Sequence, residues 1–229
     1  MTLTRRQGAL DLATFRGRSE GRQARPIQAR ILTERVSGVL DDLLGEGAWS
    51  PPKDWGRPIA TFPEAGPWDA PTHFWHWDNP WELYLDKPRG LFVVSFVGSV
   101  APRGGGTLIL SGSPRLLVQQ ESRIPADRRR DPSIKPWDRF HGSHPWIMAL
   151  TGKAPSPADR VATFMETETT VEGVPLRVVE LTGEPGDMVF CHPAMIHCSA
   201  PNRGARPRFM RIKQQLLTHE GRRILSGLS

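Results

Sequence analysis

Two kinds of hydrophobic spacing divide the chain. Val36, Val39, Leu40, Leu43 and Leu44 recur three and four residues apart, which lines one side of an α-helix. Thr33 precedes the run as an N-cap and Gly45 follows it, so the pattern predicts a helix over 34–44 packed on the outside of the core. From residue 72 the spacing shortens to apolar or alternating segments punctuated by Gly and Pro. HFWHWD, LFVVSFVGSV, GTLILSG, PLRVVEL, DMVFCHP and the stretch 209–217 read as strands. Residues 114–165 interrupt them with helical and loop character, including a short helix expected over 158–164. Residues 49–71 hold too much Pro and Gly for a long helix. Residues 1–26 show no periodicity and read as a flexible arm, leaving 27–229 as a single domain. Many short strands with one helical excursion predict a mainly β sandwich or jelly roll, not a parallel α/β sheet.

Composition narrows the class. A chain of 229 residues, 38% hydrophobic and 24% charged, can bury a sizeable core without disulfides. Its longest apolar run, 91–97, is too short to cross a bilayer, and no apolar segment of signal-peptide length opens the chain. Cys191 and Cys198 are the two cysteines, so a disulfide framework is not expected and a reducing cytoplasm is. The net charge of +6 and pI near 10.0 would suit an anionic partner. The arginines are scattered apart from Arg128, Arg129 and Arg130, and no nucleic-acid-binding signature accompanies them. Neither nucleic acid nor membrane is therefore an expected partner. Six of the eight tryptophans fall between positions 49 and 81. Such a cluster suits an aromatic lid or substrate pocket, with Trp75, Trp77 and Trp81 as candidates, or plain core packing.

The candidate chemistry begins at His76 and Asp78. Two residues apart on a strand, side chains share a face, so an imidazole nitrogen and a carboxylate oxygen would aim at one point. They supply two members of a 2-His-1-carboxylate facial triad. Of the remaining histidines, His192 and His197 lie in a segment with strand and turn character, GDMVFCHPAMIHCSAPNRGARPRF. The residues alone leave these two open as the third ligand. Cys191, His192, His197 and Cys198 also permit a zinc group, although their spacing is not that of a zinc finger. Arg206, Arg208 and Arg211 follow, and a guanidinium fork matches a carboxylate plane. A hairpin is expected to return them to the metal.

These segments resemble the phytanoyl-CoA dioxygenase family of iron(II)/2-oxoglutarate oxygenases. His76-Trp77-Asp78 is similar to the family's HxD. GGGTLILSGSPRLL, 104–117, is similar to its glycine-rich strand and turn, with Pro114 where a histidine is common. The stretch 186–208 is similar to its distal-histidine strand and arginine. The resemblance implies a double-stranded β-helix (jelly-roll, cupin-like) core with flanking α-helices. It implies iron(II) held by His76, Asp78 and His197, and 2-oxoglutarate held by Arg208 with Ser199 as a further contact. It also implies O₂ as oxidant and hydroxylation of a C–H bond of a small-molecule substrate, releasing succinate and CO₂. An aspartate at position 78 argues against halogenation, for which this superfamily leaves the carboxylate position small. Two other functions stay open on the residues: a cupin-like metal isomerase or oxygenase without 2-oxoglutarate, and a non-enzymatic module binding an anionic ligand.

Overall fold

A computed structural model describes residues 9–10, 31–78, 87–129 and 135–227. Trp81, Arg130 and most of the expected N-terminal arm lie outside the described residues. Among the described residues, nine strands form two antiparallel sheets. One has the order β1 (Ala9–Leu10), β2 (Arg57–Thr61), β9 (Arg208–Leu217), β3 (Gly90–Phe96), β7 (Met188–Cys191). The other has the order β5 (Thr169–Val171), β6 (Val174–Glu180), β4 (Thr107–Ser111), β8 (His197–Ser199).

The strand patterns explain the layering. Every residue of β3 is buried, as a strand covered on both faces requires. Leu91 and Val93 pack with Leu40 of the helix Glu34–Leu44, while Phe92, Val94 and Phe96 pack with Met210 and Ile212 in a second cluster. That helix forms as its sequence predicts, with the Thr33 hydroxyl accepting from Val36 N at 3.3 Å. On the other sheet, Leu108, Leu110, Leu176 and Val178 pack against Leu116, Leu117, Phe140, Ile147 and Leu150. Those five come from the helices Ser113–Ser122, Pro136–His141 and Pro145–Leu150. Burying each is worth about 1.5–3 kcal/mol, together on the order of 10 kcal/mol, comparable to the net stability of a whole domain. The described part of the 114–165 stretch is therefore a structural layer and not an appendage.

Five sequence expectations change. HFWHWD is not a strand: Phe74 has φ 65° and the segment pairs only through an isolated bridge, His76 to His197. The Pro- and Gly-rich stretch contains β2, and β5 joins the short helical stretch to β6; neither was expected. The 158–164 helix is replaced by a π-helical turn, Ala162–Glu166. Most importantly, β7 and β8 belong to different sheets, so residues 192–196 cross the sandwich, and 200–207 cross back to β9. The hairpin expected there is a pair of crossovers. Among the described residues, no helix is long and apolar enough to cross a membrane.

Candidate metal centre

One backbone bridge assembles the two histidines. His76 N donates to His197 O at 2.9 Å and His197 N donates to His76 O at 2.8 Å. Residues paired this way present their side chains to the same face, and the imidazole centroids lie 4.3 Å apart. The turn before His197 is pinned by Ser113, which is fully buried and accepts from Ile196 N at 2.9 Å. Phe92 of the opposite sheet stacks on His197 at 4.4 Å and 19°, so that ring faces the space between the sheets.

Hydrogen bonds set the tautomers. His76 Nδ1 lies 2.7 Å from Phe74 O, and His197 Nδ1 lies 2.9 Å from Met195 O. Only a protonated Nδ1 can donate to a carbonyl, so in the neutral form each ring carries its free lone pair on Nε2. Burial, and then the neighbouring His197, lower the pKa of His76, which favours the neutral, ligating form. Asp78 Oδ2 lies 3.4 Å from His197 Nε2, and Oδ1 lies 3.7 Å from His76 Nε2. Burial works to raise the Asp78 pKa, but His197, His76 and Gln214 outweigh it and hold the carboxyl below its ordinary range.

The residues fit a metal ion. Ligand atoms about 2.1 Å from an ion at right angles are about 3 Å apart, close to the 3.4 and 3.7 Å observed. One ligand atom from each residue falls within 4.8 Å of the others. Asp78 Oδ2 is buried with no hydrogen-bond donor among the described residues, which costs about 1–3 kcal/mol if nothing answers it. A cation among the three would satisfy that oxygen and both lone pairs at once. Outside them, Gln214 Nε2 donates to Asp78 Oδ1 at 3.0 Å. Orienting partners of this kind carry roughly 10–100-fold in metal affinity. Gln214→Ala is expected to lose that much in a metal-competition titration with its unfolding midpoint little changed; unaltered affinity would remove Gln214 from the centre.

Arg208 lies deeper in the sandwich. Only 2% exposed, it donates from Nε to Gly105 O at 2.5 Å, while both terminal nitrogens are buried without acceptors among the described residues. Burial pushes its pKa down to about 10, against the pull of nearby Glu180. Glu180 itself is occupied by the backbone N–H groups of Arg103 and Gly106. Directly across the β2–β9 pair stands Thr61, whose buried hydroxyl also has no partner among the described residues. The two residues share the inner face, so three unmet donors gather in one dry place. Of the rivals, Arg206 is exposed, and Arg211, on the other face of β9, donates to Gly56 O at 2.6 Å.

The remaining candidates separate cleanly. His192 is not among the converging ligands; its Nδ1 accepts from Ala194 N at 3.1 Å, and burial pushes its pKa down to about 4. Cys191 and Cys198 are free, buried thiols on different sheets, which leaves no four-residue zinc group. Ser199 lies on the His197 face of β8, opposite Thr107. Trp75 and Trp77 are corrected from pocket to core: they alternate with His76, are 4% and 6% exposed, and belong to the apolar cluster under the helices. Trp77 stacks on Trp137 at 3.4 Å. His144 is a helix cap, accepting from Trp146 N at 3.1 Å.

Gln214, Thr61 and Asn202 escaped the sequence reading. Asn202 is fully buried and donates to Thr61 O and Arg206 O at 2.9 Å each, clasping the crossover that delivers Arg208. Its place in the Pro201-Asn202-Arg203-Gly204 turn was the available signal. No protein-family model matches the chain, and no curated protein matches it by sequence.

Proposed function

We propose that the protein is an iron(II)/2-oxoglutarate-dependent dioxygenase that hydroxylates a C–H bond of a small organic substrate. The observation that carries this reading is the pairing, between the same two sheets, of a His-Asp-His cluster with a buried arginine whose two terminal nitrogens are unanswered. Two facing antiparallel sheets with the cluster between them suit a jelly-roll core of the phytanoyl-CoA dioxygenase kind.

In this reading His76, Asp78 and His197 hold iron on one side and leave the other open. Arg208 grips the far carboxylate of the keto acid through a bidentate fork, and the Thr61 hydroxyl supplies a third donor. Gly105 O fixes Arg208 in the required orientation. Phe92, flat against His197, keeps water from that flank. Bound iron and 2-oxoglutarate would supply the oxidising power, with O₂ and the keto acid converted to succinate and CO₂ as the substrate gains one oxygen atom. A cupin-like metal enzyme without a keto acid explains the triad equally well, but it leaves the donors of Arg208 and Thr61 without a purpose. Substrate-free turnover tests the choice. Slow succinate formation from 2-oxoglutarate is expected, dependent on iron(II) and O₂ and lost in Asp78→Ala. Metal binding without any succinate would favour the cupin-like reading.

A further inference from the structure

A second cation stands at the other end of the same inner face. Arg57 opens β2 directly opposite Ile212 of β9, as Ile59 lies opposite Met210 and Thr61 opposite Arg208. Residues paired this way share a face. Four residues of strand, about 13 Å, separate Arg57 from Thr61, so one guanidinium marks each end of the row. Two residues beyond Ile212, Gln214 reaches to Asp78.

At the Arg57 end lies an open cavity of about 250 Å³, lined by Asp54, Gly56, Arg57, Ile212, Lys213 and Gln214 among others. Its charges do not cancel. The Asp54 carboxylate is engaged by Lys213 at 3.3 Å and Gly56 N at 2.8 Å. The Arg57 guanidinium forms no ion pair or hydrogen bond among the described residues. Gln214, which lines the same cavity, donates to Asp78 of the metal cluster at 3.0 Å. An exposed cation without a protein counter-ion, beside a centre that would hold a dication, is a repulsive arrangement. An anion placed between them turns the repulsion into two attractions.

Arg57 also starts from a fixed point. Gly56 has φ 85°, and a Cβ there would stand 1.9 Å from Ile212 O. The backbone is therefore pressed against β9, and Arg211 further holds Gly56 O. A cavity of this size is below the ~300–1,000 Å³ of sites for drug-sized ligands. It suits a headgroup and not a whole lipid or large cofactor.

We propose that Arg57 anchors an anionic group of the oxidised substrate, a carboxylate or a phosphate, and that this cavity is where that group sits. The assignment of the anion to a substrate rests on the dioxygenase reading. The test uses wild type and Arg57→Gln, loaded without oxygen with iron(II) and saturating 2-oxoglutarate, which occupies Arg208. Hexanoate, hexyl phosphate and uncharged hexanamide are titrated by calorimetry, while the visible band of the iron-bound keto acid is followed in the same samples. In wild type at least one charged probe is expected to bind about tenfold or more tighter than hexanamide, and Arg57→Gln to lose that advantage. The better charged probe distinguishes carboxylate from phosphate. Equal binding of charged and uncharged probes, or charged-probe binding unchanged in Arg57→Gln, overturns the proposal even if the band forms normally. An absent band in wild type instead defeats the dioxygenase reading, and the calorimetry still decides whether Arg57 binds anions.

Discussion

Arg208→Gln is expected to weaken 2-oxoglutarate binding by roughly two to three orders of magnitude while leaving iron(II) affinity unchanged. Removing one partner of a buried, hydrogen-bonded charge pair costs about 2–5 kcal/mol, and each 1.4 kcal/mol is tenfold. Arg208 is nearly inaccessible and has two donors to give, so the middle of that range applies. It is not a metal ligand, which separates this loss from any failure to bind iron. A second consequence concerns the protein without co-substrate. A guanidinium whose pKa is pushed down to about 10 by burial is less stable charged in the folded chain than in the unfolded one. Its folded pKa lies below the unfolded value, so its charge opposes folding at neutral pH, and that penalty is relieved only as pH rises above about 10. Arg208→Met is therefore expected to leave the apo protein as stable as wild type, or more so. Calorimetric titration with 2-oxoglutarate and a denaturant midpoint check the two halves. Intact keto-acid binding in Arg208→Gln would move the anchor elsewhere.

Arg160→Ala is expected to cost about 3–5 kcal/mol of folding stability, because Arg160 does the opposite job. It is buried and fully engaged, donating to Ala70 O at 2.7 Å, Ala149 O at 3.0 Å, Pro71 O at 3.0 Å, Leu150 O at 2.8 Å and the Ser156 hydroxyl. Each buried acceptor left without a donor costs about 1–3 kcal/mol, with incomplete additivity. These bonds tie residues 70 and 71 to the end of the helix Pro145–Leu150, and His76 follows five residues after Pro71. Metal affinity should fall with stability in this variant. Lysine cannot restore a five-donor planar fork, so Arg160→Lys should recover little. A denaturant midpoint within 0.5 kcal/mol of wild type would show that the staple is dispensable.

Much of this molecule was legible in the sequence where one residue type answers one local need. Thr33, the apolar spacing of 34–44 and Gly45 define a helix without outside help. The near-continuous apolar run of β3, interrupted only by Ser95, announces a strand covered on both faces. His76, Asp78 and His197 converge as their pattern suggests, but by another route. His76 is held by a bridge to His197 itself, and side-by-side projection comes from that bridge and not from a regular strand. Spacing could not choose between His192 and His197, because the choice depends on which residue lies on a strand and which in the crossover between the sheets. Likewise Arg206 and Arg208 look alike in sequence, and burial alone separates them. Gln214, Thr61 and Arg57 were illegible for a different reason. Polar residues in a strand ordinarily face water, and their roles arise from partners far away in the chain, as with the 136 residues between Gln214 and Asp78. The tryptophans show the converse: Trp75 and Trp77 flank His76 in sequence yet are core because they alternate away from it.

The most direct test is an anaerobic titration of the metal-free protein with iron(II) and then 2-oxoglutarate, followed by visible absorption. A charge-transfer band from the chelated keto acid is expected in wild type, absent in His197→Ala because iron is lost, and weakened in Arg208→Gln at the same keto-acid concentration because iron remains. Iron binding in wild type without any band, at saturating 2-oxoglutarate, would contradict the assignment of this centre to keto-acid chemistry; failure to bind iron at all would contradict the metal centre itself.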